Sequence, residues 1–266
     1  MAERLPRAKR SLGQNFLVDG NLQRKIVAAL NPGPGDLVVE IGPGPGALTD
    51  HLAGRVERLV LIELDTALAT RLAERLGDRR GVEVWNEDIL EVDLPGRIEG
   101  WEGASVIGNI PYNITTPILF HLLERPRPAE IVLMVQREVA DRIVAKAGAE
   151  GYGALSVGVQ SVANVELLFG VPRGAFRPVP RVDSAIVRVE PHHPPTLSTH
   201  DEFRLRRLTR AVFQWRRKQM QKTLRDHPDL ALPREVVGRL ARSTDLSRRP
   251  ETFPPDELLA LSRELP

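Results

Sequence analysis

Leu37-Val-Val-Glu-Ile-Gly-Pro-Gly-Pro-Gly46 is an apolar run that stops at glycines in alternate positions. Leu37 to Ile41 predicts a short buried strand, and Ala47 to Leu52, beyond the glycines, predicts the start of a helix. Such a corner binds nucleotides, because glycines let a ligand approach the backbone and the helix start offers free N–H groups. Gly42, Gly44 and Ala47 also match the G-x-G-x-x-A form of a dinucleotide fingerprint. Pro43 and Pro45 have no N–H to give a diphosphate, which better suits a nucleoside cofactor lacking a pyrophosphate. The turn alone does not choose between these, nor exclude a plain strand-to-helix turn.

Outward from this corner, apolar runs recur. Leu59 to Ile62, Val82 to Trp85, Ala104 to Ile107 and Ile131 to Val135 predict four more buried strands. Helical spacing separates them over 66–76, 116–124 and 137–147, with Asp65 as the N-cap of the first. Another helix is expected over 154–163. This alternation predicts an α/β Rossmann-like sheet, mostly parallel, with helices on both faces. Val165 to Phe169 and Ala185 to Glu190 read as two further strands. Only a short Pro-rich connection joins them, so an antiparallel pair is expected at one edge. The expected organisation is a catalytic domain over 1–190, a Pro-rich linker over 191–200 and a small all-helical domain over 201–266.

Composition narrows the function classes. The 266 residues include no cysteine, which excludes disulfides, thiolate metal sites and cysteine nucleophiles. The six histidines show no metal spacing, so no metal is expected. No apolar run, Ile131 to Val135 included, exceeds five residues, against roughly 18 for a membrane span. The first ten residues lack the apolar core of a secretory signal. Net charge is only +2, yet Phe203 to Arg225 carries nine basic residues and no acidic one. Arg4, Arg7, Lys9 and Arg10 add to this. Like charges repel unless an anion lies near, so a phosphate-binding surface is favoured over a solvated helix face.

Open α/β sheets bind ligands beyond the carboxyl ends of their strands. Gly42, Glu63, Asp88 and Asn109 stand there. Glu63 can accept both hydroxyls of a ribose. Asp88 can accept from an exocyclic amine of adenine, with Leu64 and Ile89 sandwiching the purine; as a plain turn cap it would need no ligand. Asn109-Ile110-Pro111-Tyr112 carries the most chemistry. An amine on an aromatic ring is a poor nucleophile, because its lone pair is delocalised. The Asn109 side-chain oxygen and the Ile110 carbonyl could accept its two hydrogens, with Pro111 stiffening the loop and Tyr112 stacking on the base. Such an amine could attack an electrophilic methyl by positioning alone. Hydride transfer has no use for this loop.

On Gly13-Gln-Asn-Phe-Leu17, Val39-Glu-Ile-Gly-Pro-Gly44, Ile62-Glu-Leu-Asp65, Asn109-Ile-Pro-Tyr112 and Phe176-Arg-Pro-Val-Pro-Arg-Val-Asp-Ser184, nearly the whole chain resembles the ribosomal RNA adenine N6-dimethyltransferases, in particular the bacterial small-subunit branch. The resemblance implies S-adenosylmethionine as cofactor, held by Asn15, Leu17, Gly42, Glu63, Asp88 and Asn109. It implies that Phe176 stacks on the other face of the target adenine; a core aromatic is the alternative. It implies small-subunit ribosomal RNA as partner, a cytoplasmic location and a monomer. The basic run would hold RNA phosphates through Arg204, Arg207, Arg216, Arg217, Lys218 and Lys222. About five such contacts would give a salt slope of roughly −4 to −5. Where the family reads Arg-Arg-Lys-Thr-Leu, this chain reads Arg216-Arg-Lys-Gln-Met-Gln-Lys222-Thr-Leu, as though a turn were added. A large-subunit RNA substrate, or a non-catalytic assembly factor, stays open.

Overall fold

The apolar runs form strands of one sheet in the computed structural model, which describes residues 6–265. The chain runs β1 (Phe16–Leu17), α1 (Gly20–Leu30), β2 (Leu37–Ile41), α2 (Thr49–Leu52), β3 (Arg58–Ile62), α3 (Thr66–Leu76) and β4 (Val82–Trp85). It continues through α4 (Leu94–Arg97), β5 (Ser105–Asn109), α5 (Thr115–Leu122), β6 (Glu130–Gln136), α6 (Arg137–Val144) and α7 (Ala154–Gln160). Then come β7 (Ala163–Val171), β8 (Phe176–Arg177) and β9 (Ser184–Pro191), followed by α8 (Thr199–Gln214), α9 (Met220–Asp226), α10 (Arg234–Leu240) and α11 (Pro255–Arg263).

The sheet has seven strands in the order β4-β3-β2-β5-β6-β9-β7. β2 pairs in parallel with β3 on one side (Val39 opposite Val60) and with β5 on the other (Val39 opposite Val106). From β2 the chain builds outward to β4, then returns to start again at β5. The switch point therefore lies between β2 and β5, where ligands enter such sheets.

β9 runs antiparallel to β6, with Met134 opposite Ile186. β9 lies inside β7, so the later strand is not the edge. Burial explains this: Ser184 to Val187 are buried in succession, whereas β7 alternates and exposes Glu166. A strand apolar on both faces belongs inside, and one carrying charge suits an edge. The two-residue strands β1 and β8 pair antiparallel, Leu17 opposite Phe176, in a separate small sheet.

Contacts divide the chain into two compact units. One holds the residues through Ala140 with Glu166–Pro191; the other holds Asp141–Val165 with the residues from His192. The strand–helix alternation placed 141–165 with the sheet, but these residues share the helical core. Tyr152 and Val157 are buried with Leu208, Val212 and Phe253, and the Tyr152 hydroxyl donates to the Phe253 carbonyl at 2.8 Å. Helical periodicity shows that a face is apolar, not which core receives it. Residues 192–198 form no helix or strand. Among the described residues no helix is long and apolar enough to cross a membrane.

Candidate active site

A cleft of about 240 Å³ opens at the carboxyl ends of β2, β3 and β5. Gly42 and Gly44 form its floor with φ of +64° and +59°, conformations that side chains rarely adopt. A Cβ on Gly42 would lie 3.5 Å from the Asn109 carbonyl oxygen, and one on Gly44 3.4 Å from the Phe16 ring. The expected helix start is delayed. Gly46 N donates to Pro43 O at 2.9 Å, closing a turn, and α2 begins only at Thr49.

Glu63 directly follows β3, with its carboxylate fixed by backbone. Gly44 N donates to Oε2 and Asp65 N to Oε1, both at 2.9 Å. Burial raises its pKa, and these two N–H donors partly offset the shift. The glycine turn and the Glu63 carboxylate are thus one rigid piece. Asn86, which carried no role in the sequence, donates to the Glu63 and Leu64 carbonyls at 2.8 and 3.2 Å and fixes the backbone beneath Leu64. Leu64 is 47% exposed at the rim while Ile89 is buried. Both line the cleft with Asp88. Asp88 also caps its own turn, accepting from Leu90 N at 3.0 Å through Oδ1, which leaves Oδ2 for a ligand.

The opposite wall comes from β5. Asn109 Nδ2 donates to the Asn15 carbonyl at 3.2 Å. This uses the nitrogen of the amide and leaves Oδ1 as its acceptor. Asn15, Leu17, Ile110, Pro111 and Tyr112 also line the cleft. The N-terminal segment is fastened by Lys9 and Gln14, which donate to the two oxygens of Asp65 at 2.8 and 3.0 Å. Burial alone would raise the Asp65 pKa, but the bonds from Lys9 and Gln14 outweigh it and hold the carboxyl below its ordinary range. Lys9 is therefore a clamp rather than a phosphate contact. Arg4 lies outside the described residues.

A model of the ribosomal RNA adenine dimethylases matches residues 6–237. The chain belongs to this family. It is 41% identical to a ribosomal RNA small subunit methyltransferase A of Geobacter metallireducens, over 97% of this chain and 96% of the relative. It is 45% identical to the protein of that name from Aromatoleum aromaticum, over 85% of this chain and 84% of the relative. Among solved structures, a dimethyladenosine transferase from Plasmodium falciparum aligns with a TM-score of 0.78 at 25% identity, covering 92% of this chain and 95% of that one. The 23S rRNA methyltransferase ErmE aligns at 0.71 and 29% identity, covering 94% of this chain and 99% of that one.

For this dimethylase chain, Phe176 requires a correction. It is 0% exposed, packs in the sheet core with Leu17 and Ile186, and does not line the cleft. Pairing with β1 turns its ring inward, so it is the core aromatic that the sequence reading held as the alternative. Ser184, quoted above only as the end of a motif, is buried behind the cleft and touches its wall: its hydroxyl lies 2.6 Å from that of Tyr112, which lines the cleft.

The basic run also changes its reading. Arg216 pairs with Glu251 at 2.9 Å and Arg225 with Asp226 at 2.6 Å. Arg204 donates to the Arg263 carbonyl and Arg207 to that of Asp229. Partners from later in the chain thus relieve a repulsion that the local count treated as unrelieved. Arg217, Lys218 and Lys222 are exposed. α8 ends at Gln214 with Trp215 as its C-cap, and α9 starts at Met220 with Gln219 as its N-cap, so Arg216, Arg217 and Lys218 lie in the break and the extra residues Gln219 to Lys222 form the cap and first turn of α9.

Beneath the glycine turn, Glu40 is 1% exposed and accepts from the Thr49 hydroxyl at 2.7 Å. Burial pushes its pKa up from 4.5 to about 8, against a smaller opposing effect of that bond. Native Glu40 keeps its proton where the unfolded chain has lost it. Its contribution to stability is therefore full below about pH 4.5 and is lost as pH rises through about 8. At about 1.4 kcal/mol per pKa unit, the loss is on the order of a few kcal/mol. Glu40→Gln is expected to remove this slope. Its Tm should exceed the parent's by several degrees at pH 8.5 and match it near pH 5, by calorimetry; parallel profiles would contradict a neutral buried Glu40.

Proposed function

We propose that the chain transfers methyl groups from S-adenosylmethionine to N6 of two adjacent adenosines in small-subunit ribosomal RNA, giving N6,N6-dimethyladenosine, as a step in small-subunit biogenesis. The observation that carries this reading is the Asn109 amide, which spends its nitrogen on Asn15 and keeps its oxygen for the cleft. The residues suit the cofactor: a glycine floor whose positive φ angles side chains rarely adopt, a backbone-fixed carboxylate at Glu63 for ribose hydroxyls, Asp88 for an adenine amine, and Leu64 and Ile89 for the purine faces. When bound, the cofactor supplies an electrophilic methyl on a sulfonium sulfur.

The chain's own residues then act by holding. The target base must leave its stack to bring N6 into the cleft. Asn109 Oδ1 and the Ile110 carbonyl accept the two amine hydrogens and favour a pyramidal nitrogen with an available lone pair. Pro111 limits the backbone so that both acceptors stay aimed. Tyr112 offers its ring to the base. No strong base is needed, because the proton can leave after transfer.

Choice of the small subunit is supported by the 41% and 45% identity to relatives named for it, against 29% to a 23S rRNA methyltransferase. Labelled methyl transfer to purified small and large subunits tests this choice. Label is expected in the small subunit; label confined to the large one would overturn it.

Exposed Arg217, Lys218 and Lys222 are the phosphate contacts expected to matter most, since Arg216 and Arg225 already face carboxylates. Replacing all three by alanine should flatten the slope of log affinity against log salt by about 2 to 3. An unchanged slope, read by filter binding, would remove them from the RNA surface.

A further inference from the structure

Tyr112 and Ser184 stand 72 residues apart in sequence, and their hydroxyls share a hydrogen bond of 2.6 Å. Among the described residues neither hydroxyl has another partner. Ser184 is 0% exposed and is a fixed point. It opens β9 opposite Gln136 of β6. The preceding residue, Asp183, accepts from Arg137 N through its carbonyl at 3.0 Å and from Arg173 N through its carboxylate at 2.9 Å. Tyr112 is the less constrained partner. It sits in a single 3-10 turn after Pro111, half-buried, with its ring on the cleft wall. A tyrosine in a short turn can swing about its χ1 and χ2 angles, and a hydrogen bond at the far end of the ring stops this.

We propose that Ser184 is a positioning residue for methyl transfer, holding the Tyr112 ring in the plane that receives the target base. This rests on the reading of the cleft given above and extends it to a residue outside the Asn109–Tyr112 loop. It also gives the Phe176–Ser184 loop a function that Phe176 does not supply. Loop and cleft are joined at both ends: Phe176 pairs with Leu17, and Ser184 holds Tyr112. Cofactor contacts do not pass through Ser184, so its loss should act on the base and not on the cofactor.

The chain has only two tyrosines, which allows a direct readout. With Tyr152→Phe as background, ultraviolet titration reports Tyr112 alone. Burial raises its pKa and the Ser184 bond opposes that rise, so Ser184→Ala should move the tyrosinate transition to higher pH. In the enzyme with Tyr152 intact, Ser184→Ala should lower kcat/KM for RNA roughly three- to tenfold, the worth of one hydrogen bond, with cofactor affinity unchanged by calorimetry. Tyr112→Phe removes the same bond from the other side, so the double variant should lose no more than either single one. Ser184→Thr should recover most of the activity. Losses that add in the double variant, or a Ser184→Ala enzyme with parental kcat/KM and an unmoved tyrosine titration, would overturn the proposal. A parent that methylates no RNA would instead overturn the proposed function and leave the titration result standing.

Discussion

Asn109→Ala is expected to lower single-turnover methyl transfer by roughly two to three orders of magnitude, the cost of removing one aimed hydrogen-bonding group from a transition state, while RNA affinity stays within about twofold. Two effects combine. The acceptor for one amine hydrogen goes, and so does the 3.2 Å bond to the Asn15 carbonyl that holds the N-terminal segment against the cleft. Asn109→Asp separates them: it keeps an acceptor and loses the donor to Asn15. If amine capture dominates, the aspartate enzyme should keep more activity than the alanine one. If tethering of the 13–17 segment dominates, both should lose cofactor affinity alike. Unchanged turnover in Asn109→Ala would take Asn109 out of the chemistry.

Glu63→Ala is expected to weaken S-adenosylmethionine binding roughly 10- to 100-fold, from the loss of a charge-assisted bond of ~1.5–3 kcal/mol. The same change strips the acceptor from Gly44 N and Asp65 N, so the glycine floor should loosen and Tm should fall. Glu63→Gln distinguishes the two losses. Its amide oxygen can still serve one backbone N–H, so it should recover part of the Tm and less of the affinity. Calorimetric affinity equal to the parent's in Glu63→Ala would move the ribose contact elsewhere.

The sheet was largely legible because a buried parallel strand is an apolar run, and a polar residue at its end stands out: Glu63, Asp88 and Asn109 stand out in that way, and all line the cleft. What stayed hidden depends on pairing between distant positions. Nothing local tells that Phe176 faces inward opposite Leu17, or that β9 slips inside β7. Ser184 and Asn86 are short polar side chains whose roles exist only once Tyr112 and the Glu63–Leu64 backbone are brought to them. Lys9 and Arg216 looked like free cations because Asp65 and Glu251 lie 56 and 35 residues away. The residues 141–165 have an ordinary helical pattern, and only their contacts with Leu208 and Phe253 assign them to the helical core.

The whole scheme requires that the exocyclic nitrogen, and no other atom of the adenosine, is presented for transfer. Small subunits lacking the modification would be incubated with the protein and labelled cofactor, and their RNA digested to nucleosides and separated. Label is expected in N6-methyl- and N6,N6-dimethyladenosine, with the dimethyl form accumulating at long times and both formed far more slowly by Asn109→Ala. Label on a ring carbon or ring nitrogen of adenine, or on a ribose hydroxyl, would contradict it.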